Sequence, residues 1–267
     1  MRQSSALVGL VLILAGCSDY QRAIKSTNLD YKFMVAHNYY IDKEYERAIP
    51  LLEELVSLTR GTELSECVYY LHAKSIFGSK DYMLASYYLA NFSRTFPTSE
   101  FAEECAYLSA YCFYRNSPGY ELDQTDTYSA INDLQLFLVR YPNSSLRDSC
   151  NTLVDKLRAK LELKEYNNGM QYYKLRNYQA AQVALESFVQ NWPNSKYREV
   201  AMYTQFESAY YLARNSVEEK KAERVKDAYR AYHNFADAFG NSAYLAEATR
   251  KLKDLETHAH RIGKQQP

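Results

Sequence analysis

The feature that most constrains this chain is a phrase it repeats. The stretches RTFPTSEF (94–101), VRYPNSSL (139–146), QNWPNSKY (190–197) and DAFGNSAY (237–244) place an aromatic residue, a proline or glycine, and a serine in one order. Upstream of each, an alanine is followed by an apolar residue seven later, the aromatic eleven later and the serine three beyond that. Ala85, Phe92, Phe96 and Ser99 fit, as do Ala130, Phe137, Tyr141 and Ser144; Ala181, Phe188, Trp192 and Ser195; and Ala228, Phe235, Phe239 and Ser242. A weaker first copy has Ala48, Leu55 and Thr62, with Thr59 in place of the aromatic. Pro97, Pro142, Pro193 and Gly240 are poor continuers of a helix and Ser is a good starter, so each copy predicts one helix ending and the next being capped.

A second punctuation, DKEY (42–45), SKDY (79–82) and LRNY (175–178), precedes the key alanine and reads as a short helix–helix turn. Each repeat is therefore expected to be an antiparallel helix pair. Only 8 Gly and 6 Pro in 267 residues leave little punctuation for a many-stranded sheet, which favours an all-α chain. Lys and Arg balance Asp and Glu at 32 each, so no net field gathers phosphate and nucleic acid is not expected as a partner.

Here the motif becomes specific: Tyr82, Ala85, Phe92 and Pro97, like Tyr178, Ala181, Phe188 and Pro193, resemble the second helix of a tetratricopeptide repeat. Ala36, Ala73 and Gly169 hold the matching small position on the preceding helix, where a larger side chain would keep the pair apart. The expected fold is an α-solenoid of about five such pairs, about ten helices. Successive key alanines lie 37, 45, 51 and 47 residues apart, so insertions follow the second repeat. Residues 115–127 (RNSPGYELDQTDT) read as a loop, and 146–174 as one long helix between repeats three and four.

The N-terminus, MRQSSALVGLVLILAGCSDY, carries Arg2 and an apolar run from Ala6 to Ala15, too short to span a membrane and suited to a signal-peptide core. Leu14, Ala15, Gly16 and Cys17 resemble the bacterial lipobox, which implies cleavage before Cys17 and its acylation; an ordinary signal peptide with a chance Cys is the alternative. By the same resemblance Ser18 permits transfer to an outer membrane, periplasmic face. The expected segments are a removed signal peptide (1–16), a lipidated linker (17–27), two repeat segments (28–142 and 143–262) and a disordered tail (263–267). Cys67, Cys105, Cys112 and Cys150 read either as small core residues or as disulfide partners, although Cys105 and Cys112 lie about 10 Å apart along one helix and cannot bridge each other.

Phe33, His37 and Tyr40 are spaced to form one helical stripe, and adding 37 gives Tyr70, Lys74 and Phe77, then Tyr107, Tyr111 and Tyr114. Seven of these nine are aromatic, at positions that tetratricopeptide repeats use to hold peptides, so a peptide-binding groove is expected across the first three repeats. Packing between helices is the alternative; the phenols favour partial exposure. No Ser elbow, phosphate loop, HExxH or His/Cys cluster with metal spacing is present, so no catalytic residue, cofactor or metal is expected.

A lipobox followed by five such pairs resembles the BamD family of outer-membrane assembly lipoproteins, in the form found in Bacteroidetes-type bacteria. GCSDYQRAIKST (16–27) and SPGYELDQTDTYSAINDLQLFLVRYPNS (117–144) carry the likeness most specifically. The resemblance implies a non-enzymatic scaffold. It would bind the POTRA domains of a BamA-like barrel subunit through its C-terminal repeats, around Tyr166 to Tyr210, and receive nascent outer-membrane β-barrel proteins near its N-terminal repeats. A glycan-binding lipoprotein or another tetratricopeptide adaptor are the competing readings; the single Trp speaks against a sugar platform.

Overall fold

A computed structural model describes residues 19–263, with side chains through 257; the signal segment, Cys17 and 264–267 lie outside the described residues. Twelve helices and no strand occur among the described residues: α1 (19–25), α2 (Leu29–Ile41), α3 (Tyr45–Leu58), α4 (Leu64–Gly78), α5 (Tyr82–Thr95), α6 (Ala102–Asn116), α7 (Thr125–Arg140), α8 (Arg147–Lys174), α9 (Tyr178–Asn191), α10 (Arg198–Arg214), α11 (Glu218–Ala238) and α12 (Leu245–Gly263). Helices α2 to α11 form the five expected pairs, and the single helix α12 closes the series. The stretch expected as a linker contains α1.

The repeated phrase acts through its backbone. The amides of Ser99, Ser144, Ser195 and Ser242 donate to the carbonyls of Phe96, Tyr141, Trp192 and Phe239 at 3.0–3.1 Å, and Thr62 does the same to Thr59. Each serine hydroxyl then accepts from the amide two residues on, at 3.0–3.1 Å. The serine thus locks the turn ahead of the helix instead of capping its first residue, a correction of register by two positions. Within the pairs, Asp81 and Asn177 accept from Leu84 and Ala180 and cap α5 and α9, where the sequence shows SKDY and LRNY. Lys43, Lys80 and Arg176 take φ of 59°, 69° and 58°, the left-handed step that ends the first helix of a pair.

The chain divides into two compact units, up to Leu157 and from Arg158 onward, with the division inside α8. In the first, Leu51, Leu52 and Leu55 of α3 pack with Ala36 and Val68; Leu89 and Phe92 of α5 with Ala73 and Cys105; and Leu134 and Phe137 of α7 with Ala110, Cys150 and Leu153. The second has a core of Phe206, Ala228, Phe235 and Leu255, and a smaller one of Leu185, Phe188 and Ala201. All five key alanines, Ala48, Ala85, Ala130, Ala181 and Ala228, are fully buried. The four body cysteines are free thiols; Cys105, Cys112 and Cys150 are core residues, and Cys67 is exposed.

Gly169 leaves no room for a side chain. A Cβ there would stand 2.6 Å and 2.8 Å from side-chain carbons of Leu185, itself fully buried. Gly169→Ala is expected to cost about 1–3 kcal/mol by overpacking, read as a lower denaturation midpoint.

His72 of α4 is buried against Tyr88, with ring centroids 4.6 Å apart and planes at 83°, and its Nδ1 has no partner. Burial pushes its pKa down to about 4 from an ordinary 6.5. Because the folded form resists protonation, the stability is fully present above pH 6.5 and drains as pH falls toward 4. A loss on the order of 3 kcal/mol over that window is expected by urea titration, and His72→Phe is expected to flatten this limb.

Candidate functional site

The nine stripe residues sit on the first helices of the first three pairs: Phe33, His37 and Tyr40 on α2, Tyr70, Lys74 and Phe77 on α4, Tyr107, Tyr111 and Tyr114 on α6. Every one is half-buried; none is sealed in the core and none stands free. Their inner edges pack on the cores just described, which is the helix-spacing reading of such rings, while part of each ring meets solvent.

The rings run together along the helices. On α6, Tyr107, Tyr111 and Tyr114 stack in sequence at 6.0 Å and 5.6 Å between centroids. Phe77 reaches Tyr111 at 6.3 Å, linking α4 to α6, and Phe33 pairs with His37 at 5.9 Å on α2. Arg115 adds a cation 6.0 Å from the Tyr111 ring and 4.7 Å from Tyr82. Lys74 is the charged member. It pairs with Glu104 of α6, and the Tyr70 hydroxyl donates to the same carboxylate at 2.8 Å. Burial first, and then this contact with Glu104, raises the Tyr70 pKa and keeps the phenol neutral.

Tyr70 also stacks on Phe101 at 4.2 Å and 22°, and this is a recurrent joint. Tyr166 stacks on Tyr197 at 4.5 Å and Tyr203 on Tyr244 at 4.6 Å; Phe101, Tyr197 and Tyr244 each stand two residues after the serine of the repeated phrase. Such a stack contributes about 0.5–1.5 kcal/mol beyond burial. The same spacing recurs within the second unit, as Tyr166, Met170 and Tyr173 on α8 and Tyr203, Glu207 and Tyr210 on α10. Steps of 37 lost it at the long helix. Counting from the punctuation would have recovered it on α10, since Tyr70, Tyr107 and Tyr203 all lie eight residues after Thr62, Ser99 and Ser195, but not on the lengthened α8.

On α10 the stripe is closed. Tyr203, Glu207 and Tyr210 are 6%, 9% and 5% exposed. Glu207 accepts from Tyr173 and Tyr203 at 3.0 Å each and pairs with Lys251 of α12, and Tyr210 donates to Asp254 of α12 at 2.6 Å. Burial opposes the charge on Lys251, but its bonds to Glu207, Glu247 and Tyr203 prevail and raise its pKa. Nearby, Tyr173, Lys174, Arg176, Tyr178, Tyr211, Arg214 and Asn215 line a cleft of about 520 Å³ with three cations and no carboxylate. Among the described residues, no cluster of His, Cys, Asp and Glu could hold a metal ion, and no helix is long and apolar enough to cross a membrane.

Consecutive antiparallel helix pairs of this kind define a helical-repeat fold. The sequence profile of the outer membrane lipoprotein family YfiO matches residues 30–181 and 170–259, nearly all of the described chain, and the protein belongs to that family. This is the family of the BamD resemblance. No curated protein matches the chain by sequence.

Tyr70→Phe keeps the stack on Phe101 and removes only the bond to Glu104. A loss of about 1 kcal/mol in unfolding free energy is the expected outcome, measured by chemical denaturation.

Proposed function

We propose that this outer membrane lipoprotein is a lipid-anchored scaffold of β-barrel assembly, held on the periplasmic face through Cys17. Its first unit receives extended, aromatic-rich segments of unfolded barrel proteins along the stripe of Phe33, His37, Tyr40, Tyr70, Lys74, Phe77, Tyr107, Tyr111 and Tyr114. Its second unit docks on the POTRA domains of a BamA-like barrel subunit. The supporting observation is the contrast between these nine half-exposed positions and their sealed counterparts Tyr203 and Tyr210. A phenol that has kept its rim in water can stack on an incoming ring and hydrogen-bond a peptide backbone, and burying the rest of each ring adds to binding. The cleft on α8, α9 and α10, with Lys174 and Arg176 beside an Arg214 that pairs with Asp254, offers the second unit a surface for acidic groups of a protein partner. Trp192 speaks against a sugar platform, since its Nε1 donates to Glu165 at 3.0 Å in a repeat-closing turn.

Tyr111 and Tyr114 make ring contacts along α6 but carry no hydrogen bond to a neighbouring helix comparable to that of Tyr70 with Glu104. Replacing both with Ala is expected to weaken binding of a peptide ending in alternating aromatic residues by at least tenfold, with melting shifted by a few degrees at most. Unchanged binding in the folded variant refutes the groove. Co-purification of a BamA-like barrel with the natively expressed chain tests the second contact.

A further inference from the structure

Helix α1 is fastened to the body at three points. Ala23 is fully buried in the core of Val35, Ala36 and Leu52. The Tyr20 ring meets Tyr39 edge-on at 5.9 Å and 81°. Lys32 of α2 is 1% exposed, and its Nζ donates to the Ile24 carbonyl at 3.4 Å while pairing with Glu54 of α3 at 2.5 Å. A lysine is almost never buried so fully without a partner. This one ties the end of α1 to two helices of the body. Since Tyr20 meets α2 near its last turn and Ile24 meets it near its first, α1 runs antiparallel to α2, and its N-terminal end is directed toward the 42–44 turn.

That turn presents Ile41, 61% exposed, and Lys43, between an exposed Asp42 and a Glu44 that pairs with Arg47 at 2.7 Å. Asp19, at the head of α1, is two residues from Cys17, and an extended chain spans at most about 3.6 Å per residue, so the backbone between them reaches about 7 Å. A bilayer's polar layer is itself about 5–8 Å deep on each side. An acyl-bearing Cys17 therefore leaves no slack between the membrane and this end of the body.

We propose that α1 is a rigid foot that seats the Ile41–Lys43 turn in the headgroup layer of the phospholipid bilayer holding the anchor. Ile41 enters the acyl boundary and the Lys43 ammonium meets headgroup phosphates. Tyr20, apolar in body and polar at its tip, suits the same layer. The contact rests on the reading that Cys17 is acylated; it shares no residue with the α4 and α6 stripes, so peptide binding there stands or falls separately.

The test uses the full, natively acylated chain with Cys67→Ser to remove the exposed native thiol, and a fluorophore on Asp42→Cys or on Arg60→Cys beyond the far end of α3. Vesicles of phosphatidylethanolamine and phosphatidylglycerol carry a headgroup-linked quencher. Quenching at 42 is expected to exceed that at 60 at least threefold. Inserting twelve Gly and Ser residues between Ser18 and Asp19, a spacer of about 20 Å, is expected to abolish the difference without touching the folded body. Equal quenching at both positions, or a difference that survives the insertion, overturns the foot. Intact mass of the extracted chain is read first: an unmodified Cys17 sinks the anchor and the foot together, whereas an acylated chain with equal quenching sinks the foot alone.

Discussion

Close approach of two helices at a small residue is the contact on which the rest of the structure depends. Ala48, Ala85, Ala130, Ala181 and Ala228 are fully buried on second helices; Ala36 and Ala73 of the first helices share cores with Ala48 and Ala85, and Gly169 lies against Leu185. With no side chain to hold the axes apart, each pair brings its larger residues, such as Leu89 with Phe92 or Leu185 with Phe188, into one shared core. A pair alone cannot cover both of its faces, so each core is completed by the first helix of the following pair, and the array is stable only as an array. Gly78 extends the same logic to a pair's end: a Cβ there would stand 2.4 Å from the Tyr45 ring, which lies across the end of α4.

The excess of tyrosine follows from this stacking. A ring can fill the seam between consecutive first helices while its hydroxyl reaches an acid on the next one, which phenylalanine cannot do. Tyr70 with Glu104, Tyr173 with Glu207 and Tyr210 with Asp254 use that geometry, and Tyr229 of the second helix α11 reaches Glu256 of α12 in a like way. Carboxylates on the facing helices are the acceptors of these phenols. Glu104 is such a case, holding Tyr70 and Lys74 together.

The helix pairs and their closing turns were legible because they rest on local rules: a proline stops a helix, a serine binds its own neighbouring backbone, and an alanine recurs at one spacing. The register of the serine was not, because capping a helix and locking the turn before it call for the same residue type. The stripe on α2, α4 and α6 could be read because those first helices keep a 37-residue spacing; on α8 and α10 the lengthened helix broke the count while leaving the stacking partners, Tyr197 and Tyr244, in place. Helix α1 escaped notice because seven residues carry too little periodicity, and its hold on the body depends on Lys32, a residue type that sequence reasoning assigns to the surface.

The closed stripe on α10 shows what would cover an open one. Where α12 lies against α10, it brings an aromatic face from Tyr244, an ammonium from Lys251 and a carboxylate from Asp254, and Tyr203 and Tyr210 vanish from the surface. The α6 stripe offers the same chemical demand in part: stacked phenol faces at Tyr107, Tyr111 and Tyr114, with Arg115 at its edge. A chain segment that presents rings at alternate positions and backbone carbonyls between them meets that demand, because an extended strand directs every second side chain to one face and leaves its peptide groups free to bond the phenols. An apolar helix would supply the rings but no free carbonyls, having spent them within itself. On the proposed peptide-binding reading, the α6 stripe would discriminate by backbone state as well as by side chain.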